Sequence, residues 1–69
     1  MITVTIENAA GRGHEVRIIW DDSSYSHGLT NGEGSALFDD AMPGYGTIYV
    51  DGRKAHSGQI SRITRIQKR

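Results

Sequence analysis

The sequence predicts an all-β fold, a small antiparallel β-sandwich of six or seven strands, on three observations. Its aliphatic residues are mostly β-branched, eight Ile and three Val against two Leu, with five Thr beside them. Such side chains are stiff at χ1 and pack well on a pleated surface. Apolar and polar residues alternate over short runs, the period of a half-buried strand. Gly and Asn interrupt these runs at spacings near ten residues, which suits a sandwich or barrel.

The elements follow in order. In ITVTIE, Ile2, Val4 and Ile6 alternate with Thr3, Thr5 and Glu7. EVRIIW turns Val16, Ile18 and Trp20 one way and Arg17 the other, which leaves Ile19 on the polar side. SYSHGL predicts a third, weakly patterned strand with Tyr25, His27 and Leu29 on one side. Asn31-Gly32 marks a hairpin, since both residues tolerate positive φ. SALFDD then sets Ala36 and Phe38 on one face, and a Pro-Gly turn in AMPG ends that strand. In TIYVDG, Ile48 and Val50 oppose Thr47 and Tyr49, and Asp51-Gly52 makes a further hairpin into RKAH. Last, ISRITRIQKR spaces Ile60, Ile63 and Ile66 three apart, which fits neither a clean strand nor a full helical face. Its β-branched content predicts a basic strand over about 59–67 with a bulge, a short helix being the alternative. The expected core is Ile2, Val4, Ile6, Val16, Ile18, Trp20, Phe38, Ile48 and Val50.

Sixty-nine residues make a single domain, and a chain this short buries only about 60% of the surface its unfolded form exposes. A core and a deep cleft do not both fit, so neither an enzyme nor a bound cofactor is expected. The absence of cysteine excludes disulfides and thiolate zinc sites. MITVTIENAA has no basic segment leading an apolar run, and nothing approaches the roughly 18 apolar residues of a membrane span. The expected location is therefore the cytoplasm or a larger assembly, with no membrane partner.

A formal net charge of zero hides a partition. Residues 1–51 hold two cations against eight acids, a net of −6, while residues 52–69 hold six cations and no acid. The basic segment either docks on the acidic body, where ion pairs would help hold it, or projects toward a neighbouring copy. Docking is the preferred reading, because Ile60, Ile63 and Ile66 are costly to leave in water.

Gly-x-Gly occurs three times, at 11–13, 32–34 and 44–46. A dinucleotide fingerprint needs a third glycine and a helix immediately after it. Each pair here sits among strand patterns, so turns rather than phosphate cradles are expected. His14, His27 and His56 lack the close spacing that brings imidazoles together on one element, so no metal site is expected. Ser24, His27 and Asp22 can be written as a triad, but a triad is recognised by geometry and no nucleophile elbow accompanies them.

Two sets of residues point to binding. Ile19, Tyr25 and Tyr49 fall off the inward alternation and are candidate anchors for a protein partner or surface ligand. Arg62, Arg65 and Lys68 in the tail offer phosphate affinity, which makes nucleic-acid binding the alternative. The tail lacks the stacking aromatics of single-strand binders, and the acids elsewhere repel a polyanion. Self-association is compatible with either set.

The succession ITVTIE, EVRIIW, LTNGEGSALF, MPG, TIYVDG resembles the carboxypeptidase regulatory-like and transthyretin-like β-sandwich domains over about two thirds of the chain. Thr30, Gly34, Ala36 and Phe38 match one hairpin of that pattern, and Pro43, Gly44, Ile48 and Val50 match the strand after it. An aromatic usual two residues past the Pro-Gly glycine is replaced by Gly46, with Tyr45 displaced by one. The resemblance implies an Ig/transthyretin-like sandwich that serves as a structural, adhesive or ligand-presenting module, and it carries no catalytic residues.

Overall fold

Seven strands in two sheets make up the computed structural model, which describes residues 1–7 and 13–67. The strands are β1 (Ile2–Glu7), β2 (Glu15–Trp20), β3 (Tyr25–Leu29), β4 (Ser35–Phe38), β5 (Gly44–Val50), β6 (Arg53–Ile60) and β7 (Ile63–Gln67). One sheet has the order β4-β1-β7 and the other β3-β2-β5-β6. The connectivity is Greek-key-like: β2 and β3 form a hairpin in one layer, and β4 returns to lie beside β1 in the other. All pairings are antiparallel except β1 with β7. Among the described residues no helix is long and apolar enough to cross a membrane.

The inward rows meet between the sheets. Ile2, Val4, Ile6, Val16, Ile18, Phe38, Ile48 and Val50 are all buried, as their alternation requires, and Ala36, Ile60 and Ile66 join them. Trp20 is the exception among the expected core residues: it is half-buried and packs on the edge of the cluster. It sits where β2 ends, and its indole Nε1 donates to the Ser26 hydroxyl at 3.1 Å rather than being sealed inside.

The three-residue spacing of Ile60, Ile63 and Ile66 arises from two strands and the link between them. Ile60 closes β6 facing inward, residues 61–62 turn the chain, and β7 then alternates normally, with Thr64 and Ile66 inside and Ile63 outside. The basic strand thus starts at Ile63 rather than at 59. Buried Thr64 donates its hydroxyl to the Ser61 carbonyl at 3.2 Å. The expected bulge lies in β6 instead: Ile48 pairs with His56 and Tyr49 with Lys54, so Ala55 is the extra residue.

The basic segment docks through this parallel ladder and through burial of Ile66. Among the described residues, ion pairs join His14 to Asp51 and join Arg17 and His27 to Glu15, while Arg53, Lys54, Arg62 and Arg65 are exposed.

The turns divide by chemistry. Asp51 and Gly52 both take positive φ, 52° and 83°, as a tight hairpin between right-twisted strands demands. Asn31-Gly32 does not form the expected hairpin. Here the chain passes from one sheet to the other, and Asn31 Oδ1 accepts from the backbone N–H of Glu33 and Ser35 while Gly34 takes the positive φ.

Candidate functional site

On a strand, successive side chains point to opposite faces, so the outer surface of the four-stranded sheet is assembled from every second residue of its strands. Register sets Tyr25 opposite Ile19, His27 opposite Arg17, and Arg17 opposite Tyr49. The three sequence-predicted anchors are therefore brought to one face. Ile19 is 43% and Tyr25 57% exposed, and Tyr49 is half-buried. Leu29 and Tyr45 extend the same face at 61% and 60% exposure and had no part in the expectation. Tyr45 was legible in principle, since it is two residues from Thr47 and four from Tyr49 on the outward row of β5.

Neighbouring polar groups brace this surface. Glu15 accepts from Arg17 at 3.5 Å with one carboxylate oxygen, and its other oxygen lies 3.1 Å from His27 Nε2. The Arg17 guanidinium lies 5.7 Å from the centre of the Tyr25 ring, a distance at which a cation is attracted to an aromatic face. Tyr25 and His27 stack with centroids 6.3 Å apart and planes within 3°. Arg17 Nε is shut off from solvent without a hydrogen-bond partner. The guanidinium is thus placed between the Tyr25 ring and the Glu15 carboxylate.

The cationic set is not gathered in the same way. Arg65 pairs in register with Thr5 on the outer face of the other sheet, Arg62 lies in the link before β7, and Lys68 lies outside the described residues. That opposite face carries a narrower apolar row, Leu37 and Ile63 on either side of Thr3.

The remaining chemical candidates are each engaged elsewhere. Ser24 donates both its backbone N–H and its hydroxyl to Asp22 Oδ1, while His27 faces Glu15, so Ser24, His27 and Asp22 form no relay. Those two bonds, the hydroxyl first, hold the Asp22 carboxyl below the usual aspartate range. His14 Nδ1 meets Asp51 at 2.8 Å and His56 Nε2 meets the Gln59 carbonyl at 2.9 Å. Among the described residues, no three His, Asp or Glu side chains converge as a metal site would need.

The glycine pairs also have local explanations. Gly13 and Gly34 hold φ of 90° and 81° at the ends of their pairs, and Gly11 lies outside the described residues. Gly44 and Gly46 belong to β5 rather than to a turn. A Cβ at position 46 would sit 2.6 Å from the Ile19 carbonyl oxygen, so this strand approaches β2 as closely as it does only with glycine there. No family model, curated protein or solved structure matches this chain.

Proposed function

We propose that this domain is a non-catalytic binding module that contacts a protein partner through the outer face of its four-stranded sheet. The observation that carries this reading is the convergence of Ile19, Tyr25, Tyr45 and Tyr49 on one surface, with Arg17 laid among them. Aromatic residues and arginine are the side chains that anchor protein interfaces. Bracing by Glu15 and His27 lowers the ordering cost of binding, because the rings are already placed. Kinship with the carboxypeptidase regulatory-like and transthyretin-like domains belongs to the same proposal, supported by the two-sheet, seven-strand layout. The nucleic-acid alternative draws less support, because Arg62 and Arg65 lie apart from the aromatic face.

A photo-reactive phenylalanine analogue placed at Tyr25 or Tyr49, in the cells that make the protein, tests this directly. Cross-links to a protein are expected from these positions and not from Ser35 or Leu37 on β4. Equal yields from both sheets, or cross-linked nucleic acid from analogues at Arg62 and Arg65 alone, would overturn it.

A further inference from the structure

One end of the sandwich carries a cleft of roughly 580 Å³ beside the turn of residues 21–24 and the segment of residues 40–43. Its walls hold three aromatic rings, Trp20, Tyr25 and Tyr45, and three carboxylates, Asp21, Asp22 and Asp40. No lysine, arginine or histidine lines it. The volume suits a small ligand or an inserted side chain. Tyr25 and Tyr45 also belong to the outer face of the four-stranded sheet, so cleft and face are one continuous surface.

We propose that this cleft receives a lysine or arginine side chain of the partner polypeptide that docks on that face, an inference that rests on the contact role proposed above. Trp20 and Tyr45 bring ring surface to the cleft beside Tyr25. Trp20 Nε1, its single donor, is occupied by Ser26 at 3.1 Å. Its six-membered ring is braced on β5, where a Cβ at Gly44 would lie 3.6 Å from Cζ3. Tyr25 already attracts one cation, Arg17, at 5.7 Å. A cation near such ring faces is held by their quadrupoles, the more so where water is partly excluded.

The carboxylates supply the complement. Asp22 is kept ionised by its bonds from Ser24. The side chains of Asp21 and Asp40 make no hydrogen bond or ion pair among the described residues. Their charge is therefore not neutralised within the described structure. A neutral sugar would stack on the same rings but leave these charges unmatched, and an anion would be repelled. A guanidinium or ammonium satisfies both walls at once.

Trp20 is the one tryptophan of the chain, so its emission reports on the cleft without any label. The intact protein is titrated with acetyl-Gly-Arg-Gly-amide and acetyl-Gly-Lys-Gly-amide, with the citrulline peptide as the neutral counterpart and maltose as the sugar. Saturable emission changes are expected from the two basic peptides, weakening as salt is raised. The Asp21→Asn/Asp40→Asn double variant should bind the arginine peptide about tenfold more weakly. Its melting midpoint should match the parent, because neither carboxylate holds the fold together. No saturable change with either basic peptide, an equal response to citrulline or maltose, or full binding by the double variant would each overturn the inference. The peptides are too short to span the sheet face, so their failure counts against the cleft alone, while the cross-linking experiment judges the contact role.

Discussion

β2 and β3 are hydrogen-bonded neighbours whose two faces carry opposite loads. On the inner side, Val16 and Ile18 of β2 stand opposite Gly28 and Ser26 of β3. On the outer side the bulk is reversed: Glu15, Arg17 and Ile19 stand opposite Leu29, His27 and Tyr25. The large residues of β2 fill the core, whereas those of β3 face water. Alternation in a sequence identifies residues that share a side; which side is inner depends on the space between the sheets. Above β3 that space is taken by Phe38, whose Cε1 would lie 3.2 Å from a Cβ at Gly28. A glycine and a serine on the inner row of β3 thus make room for one aromatic ring from the other sheet, and the aromatic of β3 itself goes outward.

The largest effect should come from removing that ring. Phe38→Ala is expected to cost about 3–5 kcal/mol, comparable to the whole stability of a domain of this size at about 0.05–0.15 kcal/mol per residue. Urea denaturation measures it, and a parent-like midpoint would mean that β3 does not need Phe38 above it. A smaller loss follows from giving β3 the inner bulk of its neighbour. Gly28→Val should destabilise by about 1–3 kcal/mol through overpacking against Phe38. Combining it with Phe38→Ala should recover part of the loss, since valine then enters the space the ring has left; strictly additive losses in the double variant would show that the two positions do not share a space.

The same contrast shows what the sequence made legible. β1, β2, β4 and β5 have simple inward rows, so their faces and eight of the nine expected core residues could be read from period two alone. Ile19, Tyr25 and Tyr49 could be grouped because they broke those rows, and register across three strands put them together. Other features depend on contacts distant in sequence. Asn31-Gly32 has the composition of a hairpin, but β3 and β4 lie in different sheets, so the chain there must cross over rather than fold back. The spacing of Ile60, Ile63 and Ile66 was ambiguous because it counts straight through a change of strand. The cleft was not legible at all: Trp20 closes β2, Asp22 lies in the turn after it and Asp40 in the connection from β4 to β5, and only the packing of the sheets sets them side by side.

The smallest expected effect tests the central claim, that the outer apolar face of the four-stranded sheet serves contact rather than folding. Ile19→Thr and Tyr25→Thr together place a β-branched residue with good strand propensity at both positions while removing the exposed apolar surface of Ile19 and Tyr25. In an equilibrium urea melt of the isolated domain, this double variant should lose about 1 kcal/mol or less, the scale of surface substitutions plus the Arg17–Tyr25 contact. A loss of about 3 kcal/mol or more, the size of a core truncation, would show that these side chains hold the sandwich together and would contradict the account.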